Sequence, residues 1–93
     1  MKELIKVGDL VVSTAGRDKG DYFLVINVEN NVALIVNGKS RKVTTPKSKN
    51  VKHLMVLPAS LIEIAERIQT GKPIGDQTVH RAIVCQKQKL QED

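Results

Sequence analysis

The sequence predicts a mainly β fold, with a small five-stranded antiparallel barrel over residues 1–58 and two α-helices over residues 59–93. Three observations predict it. Short runs rich in β-branched and aromatic residues recur along the first half, as strands require. Asparagine, glycine and proline separate these runs at intervals that suit tight turns. After Pro58 the spacing of apolar residues changes from strand-like to helical.

Taken in order, Met1–Lys6 is a lead-in available to pair at a sheet edge. In the first strand Leu10 and Val12 share one face, and Asp9, Val11 and Ser13 share the other. The second strand, Tyr22–Val28, places Tyr22, Leu24, Ile26 and Val28 on one side and Phe23, Val25 and Asn27 on the other. Both sides are largely apolar, so neighbouring elements are expected to cover part of the outside. Glu29-Asn30-Asn31 predicts a tight turn, because asparagine tolerates the left-handed region. The third strand is Val32–Val36. Asn37-Gly38 then signals a type I′ hairpin, from which Lys39–Thr45 would return as a polar, basic fourth strand. Pro46, with no amide to donate, would end it. Pro46–Lys52 reads as a basic loop, and Leu54–Leu57 forms a fifth strand closed by Pro58.

In the second half Ser60 and Glu63 match a capping box, followed by Leu61, Ile64, Ala65 and Ile68 at helical spacing. Gly71 and Pro73 stop that helix. Asp76 is placed to cap a second helix with an apolar stripe of Val79, Ala82, Ile83 and Leu90. Lys87 and Lys89 suit the negative end of its dipole.

The turn between the first two strands, Ala15-Gly16-Arg17-Asp18-Lys19-Gly20, is the most informative stretch. Gly16 and Gly20 allow a compact loop, and Asp18 can hold its shape by bonding nearby amides in an Asx-turn. Arg17 and Lys19 do nothing for turn formation and would project into solvent, where they can meet phosphate oxygens.

Val7-Gly8-Asp9-Leu10-Val11-Val12-Ser13-Thr14-Ala15-Gly16-Arg17-Asp18-Lys19-Gly20 resembles the start of a KOW motif, found in ribosomal proteins and transcription elongation factors. The longer series resembles one KOW subgroup: Ala15–Gly20, Asn37-Gly38-Lys39 with Arg41-Lys42, Pro46-Lys47, Asn50 and Lys52-His53-Leu54. That subgroup comprises the small SH3-like barrel proteins of the archaeal and eukaryotic large ribosomal subunit, with their short bacterial relatives described as KOW-domain RNA-binding proteins. The likeness spans residues 5–57 and departs from many KOW motifs at Phe23, where those carry a second glycine. It implies an SH3-like (KOW) barrel and a ribosomal or ribosome-associated role in the cytoplasm. It also implies RNA contact by His53, for which a bond to a backbone carbonyl is an equal alternative.

Charge points the same way. The formal net charge is +5, and residues 1–57 hold ten of the fifteen cations against five of the ten acids. Between Asn37 and His53 there are six cations and no acid. A segmental excess of this kind is expected of a polyanion binder, although solvated lysine surfaces are common. The candidate RNA contacts are Arg17, Lys19, Lys39, Arg41, Lys42, Lys47, Lys49, Lys52 and His53, on a loop shaped by Gly16, Asp18 and Gly20. Arg41 and Lys39 would share one face of the expected fourth strand by parity. Tyr22 and Phe23, adjacent on a strand, cannot form a two-ring stacking platform or a methyl-lysine cage. Recognition of folded RNA, foremost ribosomal RNA, by backbone and shape is the mode that remains.

Other chemistries find no support in the sequence. His80 and Cys85 stand about 140° apart on a helix, too far round for a dyad. One cysteine and two histidines do not complete the usual structural zinc site. No phosphate-binding Walker loop or paired-carboxylate motif occurs, so neither enzymatic activity nor a cofactor is expected. Cys85 reads as a helix residue near the packed side, and His80 as a surface residue. A lone cysteine suits a reducing compartment. The N-terminus lacks the apolar region of a signal peptide, and apolar runs of five residues fall short of a membrane span. The competing function is a protein-docking module that takes a partner on the C-terminal helices.

Overall fold

The computed structural model describes residues 5–91. Residues 1–4 of the expected lead-in therefore lie outside the described residues. Strands β1 (Asp9–Ser13), β2 (Tyr22–Glu29), β3 (Val32–Val36), β4 (Lys47–Asn50) and β5 (Leu54–Ser60) form one antiparallel sheet in the order β4-β3-β2-β1-β5. Helices α1 (Ile62–Gln69) and α2 (Asp76–Gln91) follow.

The two edge strands are consecutive in the chain, joined only by a 3₁₀ turn over Val51–His53. Four Cα steps reach at most about 14 Å, whereas four interstrand spacings in a flat sheet cover about 19 Å. The sheet therefore coils to bring its edges together. It stays open, with no ladder between β4 and β5.

Coiling gives the sheet two apolar faces. On one, Leu10, Leu24 and Val36 pack with Leu61 and Ile64 from the start of the helical region and with Val79 and Ile83 of α2. On the other, Val11, Phe23, Val25, Ala33, Ile35 and Leu54 close on themselves, with Ile5, Val28, Val51 and Val56 against them. The expected alternation of β1 and the start of β2 holds on this basis. Val28 departs from it, lying with Val25 and not with Ile26. The cause is a bulge: Val25 pairs with Ile35 and Asn27 with Leu34, so Ile26 is one residue too many and the parity reverses after it.

Asn30 and Asn31, with φ of 50° and 68°, make the two-residue left-handed turn that closes the β2–β3 hairpin between paired Glu29 and Val32. Asn37-Gly38 does not make a second. The side-chain Oδ1 of Asn37 accepts from the amides of Lys39 and Arg41, each at 2.9 Å. The Arg41 carbonyl accepts from Asn37 and Gly38. These bonds occupy the groups a ladder would need, so Lys39–Thr45 is a loop and not the expected fourth strand. The fourth strand starts after Pro46, which precedes it and does not terminate an earlier one.

Both helix starts also differ from expectation. Ser60 belongs to β5, across from Asp9, and Leu61 holds the N-cap position of α1 with no side-chain cap, so Ser60 does not stand where the expected capping box needs it. Asp76 is the first residue of α2, and its Oδ1 accepts from the Val43 amide at 2.7 Å. It ties the helix to the loop after β3. At the same seam Gly38, with φ +78°, lies so close that a Cβ would run into the Asp76 carbonyl and the His80 amide.

Gly38→Ala is therefore expected to cost about 2–4 kcal/mol, from left-handed strain and overpacking together. Gly20→Ala shares the left-handed φ but meets open space, so it should cost only about 1 kcal/mol. Urea unfolding of the two variants checks the difference; equal costs would mean that the α2 seam is not tightly packed.

Candidate nucleic-acid interface

The register of the sheet fixes where the loops emerge. Val12 pairs with Tyr22 and Leu24 with Val36, so the β1–β2 hairpin loop and the β3–β4 loop leave the sheet at one end. The 3₁₀ turn reaches the same end, where the His53 carbonyl accepts from the Thr14 amide at 2.9 Å.

The hairpin loop is held from below by β4. Lys47 and Lys49 stand two apart on a strand and therefore point the same way, towards Asp18. Lys47 Nζ meets Asp18 Oδ2 at 2.7 Å, and Lys49 Nζ pairs with Asp18 Oδ1 and donates to the Ala15 carbonyl at 2.7 Å. Ser13 Oγ lies 2.7 Å from Asp18 Oδ1 and 2.9 Å from the Ala15 carbonyl. Around this hub the backbone folds tightly: the Gly20 amide donates to Ser13 and the Asp21 amide to Asp18. Gly16, at φ +87°, has Lys49 Nζ beside it. A Cβ there would be strained and would crowd the ammonium.

Burial alone would raise the carboxyl pKa of Asp18, whose side chain is only 12% exposed. The hydrogen bonds from Lys47, Lys49 and Ser13, with the Lys47 charge, outweigh that and hold it well below the usual carboxylate range. Asp18 is thus an ionised tether between two strands, in place of the expected Asx-turn to local amides.

Lys47 and Lys49 do not occupy the expected exposed loop; both lie on β4 in contact with Asp18. Lys49, 9% exposed, has become part of the scaffold. Lys47 is 29% exposed and gives one of its three donors to Asp18, so its outer side still faces solvent. Arg17 and Lys19 are exposed on the tethered loop. Lys39, Arg41 and Lys42 are exposed on the β3–β4 loop; since no strand carries them, strand parity does not relate Lys39 to Arg41. Lys52 is exposed and His53 half-buried in the 3₁₀ turn, whose start is capped by Asn50 Oδ1 accepting from the Lys52 amide at 3.0 Å. Among the described residues the ion pairs are those of Asp18, and Arg17, Lys19, Lys39, Arg41, Lys42 and Lys52 form none.

Sequence reasoning missed the hub made by Ser13, Asp18, Lys47 and Lys49. The period-two spacing of Lys47 and Lys49 was the available signal. Phe23 is buried and Tyr22 half-buried on the opposite, helix-covered face, as their adjacency required. Cys85 is exposed and does not sit at the packed side. Among the described residues no group of three or more His, Cys, Asp or Glu side chains could hold a metal ion, and no helix is long and apolar enough to cross a membrane. No protein-family model matches the chain.

Asp18→Asn should destabilise the fold by about 2–4 kcal/mol, since it leaves the buried Lys49 charge uncompensated. The depressed pKa also sets a pH dependence. The tether's contribution is full above the ordinary carboxyl pKa of 3.8 and is lost as pH falls below it towards the folded value. Chemical denaturation from pH 5 to pH 2 should show a steeper acid loss in the native chain than in Asp18→Asn; parallel curves would mean that the tether does not form.

Proposed function

We propose that this chain is a non-enzymatic RNA-binding protein of the cytoplasm. It grips structured RNA, ribosomal RNA foremost, as a ribosomal or ribosome-associated component. Its coiled sheet is read as an SH3-like barrel of the KOW type. The order of five strands and the single 3₁₀ turn joining the edge strands support that reading.

One observation carries the function: five exposed cations that form no ion pair among the described residues, Arg17 and Lys19 on the β1–β2 loop and Lys39, Arg41 and Lys42 on the β3–β4 loop, lie at one end of the sheet, and the first of those loops is tethered by Asp18. A rigid array of this kind can track a phosphate backbone without reading bases. Each phosphate neutralised releases condensed counterions, which makes binding steeply salt-dependent. Lys47 adds a partly neutralised charge at the base of the array, and Lys49 supports it from beneath.

A second reading, a protein-docking module, is favoured by a groove of about 520 Å³ between the helices, lined by Leu61, Ile64, Ala82 and Cys85. A partner that stays bound after ribonuclease digestion would support it.

Binding of a paired RNA hairpin should weaken linearly in log salt. The Arg17→Ala/Arg41→Ala variant should bind more weakly and lower the slope by about 0.9 for each phosphate it no longer neutralises. Unchanged affinity and slope in that folded variant, read by filter binding across a salt series, would remove the RNA reading.

A further inference from the structure

The cationic end of the sheet continues onto α2. A recess of about 310 Å³ opens where the β3–β4 loop meets the helix, and it lies beside the β1–β2 loop. Tyr22, Ile83 and Val84 supply its apolar surface. Lys39 and Lys87 supply cations from the loop and the helix, with His80 between them along the chain and Asp21 at the hairpin side. Lys87 Nζ lies over the Tyr22 ring, 5.2 Å from its centre, so a base that takes this face displaces the ammonium, which on its flexible stem can swing to the phosphate of the same nucleotide.

The recess has fixed walls. Gly38 allows the loop to touch the first turn of α2, and the Asp76–Val43 bond closes the same seam. The Asn37 side chain is already committed to the loop, accepting from the Lys39 and Arg41 amides and donating to Ser40. Asn37 therefore shapes the site and leaves ligand contact to its neighbours.

An apolar and aromatic surface flanked by two ammonium groups fits one ligand chemistry well: a planar base joined to a phosphate. We propose that this recess takes a single unpaired ribonucleotide of the bound RNA. Its base lies against Tyr22 and its phosphate meets Lys39 and Lys87. Asp21 is an acceptor suited to a 2′-hydroxyl or an exocyclic amine, and it disfavours a phosphate on its own side. The inference rests on the RNA-binding reading above and adds to it. The loops hold duplex backbone, and the α2 seam recognises a bulged or looped-out nucleotide.

Tyr22 is the sole tyrosine and the chain has no tryptophan, so its emission reports this site alone. The test uses the full chain with two RNA hairpins, one fully paired and one with a single unpaired adenosine, with emission corrected for RNA absorption. The bulged hairpin should bind at least about fivefold more tightly, consistent with stacking of one base, and should change Tyr22 emission where the paired hairpin does not. Val84→Glu, at an exposed helix position, places a carboxylate in the recess; it should abolish both differences while binding of the paired hairpin falls far less. Equal binding of the two hairpins without a Tyr22 response would overturn the inference and leave the RNA reading intact. Failure of both hairpins to bind at any salt would remove the RNA reading, and this inference with it.

Discussion

A single carboxylate, Asp18, joins the hairpin loop to the strand that crosses beneath it. Its partners come from far along the chain, Lys47 and Lys49, and from the strand that leads into the loop, Ser13. Short basic loops ordinarily spread under their own repulsion and lose the geometry that would make their charge useful. Here an acid placed among the cations takes up two lysines from below and leaves Arg17 and Lys19 facing outward. The arrangement concentrates exposed positive charge and limits its freedom, which reduces the ordering cost of meeting a polyanion.

The tether depends on the coiling of the sheet. β4 can reach the β1–β2 loop only because the edge strands converge at the 3₁₀ turn. The bulge at Ile26 contributes by turning Val28 into the inner core and increasing the local twist. Val79 and Ile83 of α2 seal the outer face, and the helix also holds the β3–β4 loop at Gly38 and Val43 while its cations Lys39, Arg41 and Lys42 stay exposed. Fold and site are therefore linked: the packing that hides the apolar faces also determines which way the cations point.

Much of this is legible in the residues. The first hairpin, the Asn30–Asn31 turn and the two helices each follow from local signals strong enough to survive tertiary context. The fourth strand does not, because Asn37-Gly38 carries the usual hairpin signal while the Asn37 side chain folds the chain into a compact loop. The helix starts escape local reading for a related reason: Ser60 is needed for pairing with Asp9, and Asp76 for bonding Val43. The roles of Lys47 and Lys49 depend on an interaction across some thirty residues. No periodicity encodes such an interaction, although their alternation indicates that they face one way. Cations on loops are easy to find in a sequence. Which of them the fold consumes is not.

The most direct test is the affinity of Asp18→Asn for a paired RNA hairpin, measured where both proteins are fully folded. Removing an acid raises the positive charge of the surface, so charge counting alone predicts tighter binding. If the tether is what presents Arg17 and Lys19, the variant must bind more weakly than the native chain, despite its extra charge. Tighter binding by Asp18→Asn would contradict the central role given to Asp18.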